Sequence, residues 1–133
     1  MSSVVHPSPI GVLIVDDQLS FRHVARLVIE ATPDFVLLGE ASSGEHAMAA
    51  LDELHPDLVL VDVRMPGMDG IETATRLHSQ DPAPVVVLIS IEEPPHLPMR
   101  VASCGAAEIV RKQDFCPGLL RRVWQKHGAE HTA

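Results

Sequence analysis

An open parallel α/β sheet with helices on both faces is the fold class this sequence predicts, and three observations predict it. Short runs rich in valine, isoleucine and leucine recur along the chain. Segments with apolar residues at helical spacing separate them. The middle runs are nearly continuous in β-branched residues (Val59, Val61, Val85, Val86, Val87, Ile89). A strand wet on one side alternates, so these are central strands covered on both faces. Strand and helix in alternation call for parallel pairing through right-handed crossovers.

The elements follow in order. The strand from Gly11 to Val15 leads to a helix with Phe21, Val24, Ala25 and Val28 on one face. The second strand, Phe35 to Leu38, is followed by a helix that aligns Ala47, Leu51 and Leu54. After the third strand, Leu58 to Val61, Asp69 and Glu72 resemble a capping box that opens a helix carrying Ile71, Ala74 and Leu77. The fourth strand runs from Val85 to Ile89. Its helix is confined to about Met99 to Cys104, because Pro94, Pro95 and Pro98 forbid a longer one. Ile109-Val110 form the fifth strand, and the last helix, Pro117 to Lys126, starts with a proline at a position that needs no N–H. Residues 1–9 read as a flexible leader, 10–127 as one domain and 128–133 as a flexible tail.

Composition narrows the function. The chain of 133 residues carries a formal charge of −8, which argues against direct binding to nucleic acid. No apolar run has the length of a membrane span, and the start has no secretory pattern. Cys104 and Cys116 lack metal-site or disulfide spacing and read as free thiols in a reducing cytoplasm. The scattered histidines offer no zinc motif. Aromatic residues are 3% of the chain, so the core must be aliphatic, and Trp124 is expected partly buried against the sheet.

In an open parallel sheet, ligands bind outside the carboxyl ends of the strands. The first strand ends in Asp16-Asp17, the third in Asp62 and the fourth in Ser90, while the fifth runs through Arg111 to Lys112. Clustered carboxylates repel unless a cation joins them, and oxygen ligands suit Mg²⁺. Such a site fits phosphoryl transfer, with Asp62 as nucleophile, Lys112 pairing with a phosphoryl oxygen and the Ser90 hydroxyl donating to another. Singly, each residue has an ordinary explanation: Asp16 and Asp17 as helix caps, Asp62 as a loop acid, Ser90 as a strand end, Lys112 as a solvated charge.

Together, Val12-Leu13-Ile14-Val15-Asp16-Asp17, the block Leu58-Val59-Leu60-Val61-Asp62-Val63-Arg64-Met65-Pro66-Gly67-Met68-Asp69-Gly70, Ser90 and Lys112 resemble a response-regulator receiver domain of two-component signalling. The likeness spans about Ile10 to Lys126. It implies a flavodoxin-like, doubly wound sheet of five parallel strands in the order 2-1-3-4-5. It also implies phosphorylation of Asp62 by a histidine kinase or a histidine phosphotransfer protein. Mg²⁺ would be held by Asp17, Asp62 and the backbone carbonyl of Arg64, with Asp16 acting largely through water. The output would be a downstream protein contact, with a homodimer through the fourth and fifth predicted helices as one form. The domain would catalyse only its own phosphorylation and dephosphorylation, in the cytoplasm, without membrane or nucleic-acid contact of its own.

Three positions depart from that family's pattern. Ile109 stands where an aromatic switch residue is usual, so activation would rely on a backbone shift of the fourth loop and helix, or the output surface would differ. Ile91 follows Ser90 where a small residue is usual, and would narrow access to Asp62. Gln113 replaces a common proline, as in receivers attached to LuxR-type DNA-binding domains. With no helix-turn-helix after Lys126, a stand-alone receiver is expected. The alternatives are the receiver half of a longer DNA-binding transcriptional regulator and a degenerate receiver acting only as an interaction module. An aspartyl-phosphate phosphatase would want a second aspartate at position 64, and a nucleotide binder a glycine-rich loop after the first strand; neither is present.

Overall fold

The structure, a computed structural model, describes residues 8–92 and 103–132, the last four of these by backbone only. Its elements are β1 (Ile10–Val15), α1 (Leu19–Glu30), β2 (Phe35–Ala41), α2 (Gly44–Leu54), β3 (Leu58–Asp62), α3 (Gly70–His78), β4 (Val85–Ser90), β5 (Glu108–Arg111) and α4 (Pro117–Thr132). The strands form one parallel sheet in the order β2-β1-β3-β4-β5. Both the fold class and the strand order expected of the sequence are therefore present.

Alternation along each strand divides the core into two aliphatic layers. Val12, Ile14, Leu58, Leu60, Val87 and Ile89 pack with Phe21, Ala25 and Ile29 of α1 and with Leu120 and Val123 of α4. Leu13, Val15, Val59, Val61, Val86 and Leu88 pack on the opposite face with Ala47 and Leu51 of α2 and with Ile71, Ala74 and Leu77 of α3. Strands buried on both sides in this way need the continuous apolar runs seen in the sequence. Trp124 is partly buried against the α1/α4 layer, as expected. No described helix is long and apolar enough to cross a membrane.

Two expectations need correction. The buried face of α1 is Phe21, Ala25 and Ile29, while Val24 is 49% exposed and Val28 only packs at the margin. Arg22 and Arg26 both pair with Glu40 on β2, and this anchors the helix rotated away from the predicted face. The last helix continues to Thr132, so the expected tail is helical through that residue. Gly128 sits in the helix against the Trp124 ring and leaves no room for a Cβ. The proline-broken fourth helix falls mostly on 93–102, and the leader on 1–7, both outside the described residues. Of the cysteines, Cys104 is buried and Cys116 exposed.

The register brings the strand ends level. Val15 pairs with Val61, Asp62 with Ile89, Ile89 with Val110, and Ser90 with Arg111. The residues just beyond β1 and β5 therefore meet those ending β3 and β4. Two glycines shape the turn after β3. Gly67 takes φ +74°, a left-handed conformation that side chains disfavour. Gly70 opens α3 so close to β3 that a Cβ would lie 1.8 Å from the carbonyl oxygen of Asp62. Gly70→Ala must displace that backbone and should cost about 3 kcal/mol in urea unfolding, the upper end for overpacking; a loss below about 0.5 kcal/mol, within surface-substitution scatter, would show the approach to be loose.

Candidate functional site

Asp16 leaves β1 with its N–H still donating to the Ala41 carbonyl, so the sheet ladder fixes its backbone. Its Oδ1 accepts the Gln18 N–H at 2.8 Å, shaping the turn into α1. Asp16 is thus a turn residue, and Gln18 takes the helix-cap position without a side-chain bond. Asp16 is fully buried, Asp17 exposed and Asp62 7% exposed. A carboxylate oxygen from each lies within 4.8 Å of the others.

Lys112, at the end of β5, supplies the counter-charge. Its Nζ lies 2.7 Å from Asp16 Oδ2 and 3.4 Å from Asp62 Oδ2, and donates to Gln18 Oε1 at 3.2 Å. The Phe21 ring lies beneath it, 4.7 Å from Nζ to the ring centre, a cation–π distance. Asp62 Oδ1 accepts the Arg64 backbone N–H at 3.2 Å. One ammonium is too little for this acid density. Burial, and then the charge of Asp16, push the Asp62 carboxyl up to about 6, against the pull of Lys112 and the Arg64 N–H. The donor set fits a hard divalent cation: all oxygen, clustered, and short of positive charge.

Around the acids lies a cleft of about 240 Å³ lined by Gln18, Asp62, Arg64, Ser90, Ile91, Glu92 and Lys112. Ser90 is buried, and its Oγ accepts the Glu92 N–H at 2.9 Å, which aims the side chain and leaves its hydroxyl proton to donate. Ile91 is 68% exposed at the rim. Arg64 and Glu92 form an ion pair across the mouth.

The structure thus brings Asp16, Asp17, Asp62, Arg64, Ser90, Ile91 and Lys112 close together. Ile109 does not join them: it is half-buried against the α2/α3 layer and lines no part of the cleft. Sequence reasoning missed Gln18 and Glu92. Gln18 directly follows the acid pair and Glu92 lies two residues past Ser90, so adjacency alone could have flagged them.

Comparison with known proteins agrees with this geometry. The family model for the response regulator receiver domain matches residues 12–122. The nitrate/nitrite response regulator protein NarL of Escherichia coli K12 is 36% identical over 122 residues, 92% of this chain and 56% of that protein. A protein-glutamate methylesterase/protein-glutamine glutaminase of Pseudomonas savastanoi pv. phaseolicola is 38% identical over 104 residues, 77% of this chain but 29% of that protein. The signal receiver domain of a NarL response regulator from Mycobacterium tuberculosis superposes with a TM-score of 0.81 at 28% identity, covering 92% of this chain and 98% of that one. The chain thus spans about half or less of the length of these two curated relatives.

The raised Asp62 value has a consequence for stability. A carboxyl raised in the fold leaves stability intact below its unfolded value of 3.8, and that stability is lost as pH climbs through about 6. Without divalent cation, Asp62→Asn should therefore be more stable than wild type at pH 8, by about 1–2 kcal/mol once solvent screening reduces the 1.36 kcal/mol per unit. The gap should close near pH 4. Urea unfolding at both pH values checks this, and a variant less stable than wild type at pH 8 would contradict it.

Proposed function

The chain belongs to the response-regulator receiver family, and from that premise we propose that Asp62 is its phosphoacceptor and Asp16, Asp17 and Asp62 its Mg²⁺ site. The observation that carries this reading is the buried Asp62 carboxylate in an open cleft, with Lys112 Nζ 3.4 Å away and two further acids beside it. Receiver domains interact with histidine kinases or phosphotransfer proteins, and such a partner is the donor in this proposal.

The chemistry asked of the protein is positioning and charge stabilisation. An Asp62 oxygen attacks phosphorus; the new O–P bond forms as the bond to the donor histidine nitrogen breaks. Lys112 holds a charged phosphoryl oxygen, and the Ser90 hydroxyl donates to another. Asp16 and Asp17, with the Arg64 backbone carbonyl, complete the protein's oxygen ligands. Mg²⁺, when bound, neutralises charge on the phosphoryl oxygens and keeps the acids ionised. Ile91, at the rim, restricts access by donor and water.

The output is a change in a protein-binding surface by population shift between two conformations. Ile109, held in the aliphatic layer, has no ring to swing, so the shift passes through the backbone after Ser90. Contact between two copies through α4 and the segment before β5 is one form of that surface. A second reading is the receiver part of a longer transcriptional regulator. It is favoured by a match to a transcriptional regulatory protein of Bacillus subtilis, 37% identical over 71% of this chain but only 44% of that protein. Methylesterase or transcriptional activity belongs to the relatives named for it, and no such chemistry resides in the cleft residues named above.

Intact mass after incubation with Mg²⁺ and acetyl phosphate tests the proposal. One phosphoryl group should add to wild type and none to Asp62→Asn. Lys112→Ala should slow addition by about 10²-fold, as expected when a charge-stabilising group is removed. Wild type that gains nothing from this donor or from any histidine phosphotransfer protein would leave the degenerate receiver as the better reading.

A further inference from the structure

The metal-holding turn between β1 and α1 is tied down from outside the cleft. Arg22, in the first turns of α1, reaches back so that its Nη1 donates to the Asp16 carbonyl oxygen at 2.6 Å and its Nε to Glu40 Oε1 at 3.3 Å. The other Glu40 oxygen accepts from Arg26 Nε at 3.0 Å and Nη2 at 2.5 Å. Glu40 is thus held by two arginines, and the Arg22 and Glu40 side chains are only 16% and 18% exposed.

A slip in the sheet makes the clamp possible. Up to Val12, β1 and β2 pair in step, then Leu13 meets Gly39 and Leu38 is passed over. Phe35 and Leu37 pack on the α1 side, so unbroken alternation would turn Gly39 to that side and Glu40 away. The extra residue reverses the alternation and sets Glu40 opposite Ile14, whose side chain lies in the α1 layer. Only then does Glu40 face α1 and its arginines.

We propose that Arg22, locked by Glu40, is a positioning residue for the metal site, acting on Asp17 through the Asp16–Asp17 peptide plane. The Asp16 carbonyl and the Asp17 N–H share one rigid plane. Fixing that carbonyl fixes the plane, and with it the direction in which the exposed Asp17 presents its carboxylate to Asp62. Arg22 lines no part of the cleft, so its positioning effect passes through this peptide. The inference rests on the Mg²⁺ site proposed above.

Electrostatics and positioning predict opposite signs, and this makes the test sharp. Removing a cation near three acids should by itself strengthen Mg²⁺ binding. Losing the clamp should weaken it, by about tenfold, the lower end for groups that orient metal ligands. Mg²⁺ affinity is measured by calorimetry with the metal alone on wild type, Arg22→Ala, Arg22→Lys and, as a direct-ligand control, Asp17→Asn, well below each melting temperature. Arg22→Lys keeps the charge but loses the fork that spans both acceptors, and should bind about threefold to fivefold more weakly than wild type. It decides the matter if Arg22→Ala does not fold. Affinity unchanged or tighter in the folded Arg22 variants, with Asp17→Asn weakened, overturns the positioning role alone. Wild type that binds no Mg²⁺ overturns the metal site itself, and this inference with it.

Discussion

The structure turns on one electrostatic constraint: three carboxylates meet at one end of the sheet with a single ammonium reaching two of them. Asp16 is wholly buried and depends on Lys112 at 2.7 Å. Taking such charges out of water is costly unless they are paired and hydrogen-bonded. The pairing here is incomplete, and burial with the charge of Asp16 leaves Asp62 reluctant to ionise. Stability is given up at that point, and the oxygen cluster could hold a metal ion.

The remainder of the fold makes this arrangement tolerable. Two aliphatic layers hold five parallel strands in a register that levels their carboxyl ends. Elements distant in sequence are thereby committed to one crevice, and Lys112 reaches an aspartate 96 positions before it. Gly70 lets α3 begin against the backbone of Asp62, while Arg22 ties the Asp16 carbonyl to Glu40 on β2. The loop after Ser90 is tied by the Glu92 N–H to the Ser90 hydroxyl.

Much of this was legible in the sequence because it rests on residue type and order. Continuous β-branched runs betray strands buried on both faces, and acids placed directly after such runs betray a crevice at their ends. What stayed hidden depends on rotation and register, which composition does not encode. Val24 is as apolar as Ile29, yet Ile29 is buried and Val24 half exposed, in a helix whose Arg22 and Arg26 both bond Glu40. The slip at Leu38 leaves no mark in the pattern, although it alone turns Glu40 toward α1. Gly128 looks like a helix stop but accommodates the Trp124 ring within the helix. Ile109 was placed among the switch residues by likeness to a family; it is half-buried against the α2/α3 layer and lines no part of the cleft.

The central claim is that Asp62, among three neighbouring acids, is the atom-level acceptor. Borohydride reduction of the phosphorylated protein, followed by peptide mass mapping, tests this most directly, since an acyl phosphate is reduced to the alcohol. The account predicts homoserine at position 62 and unmodified aspartate at 16 and 17. Homoserine at Asp16 or Asp17, or a reduction-resistant phosphate on Ser90, would contradict it.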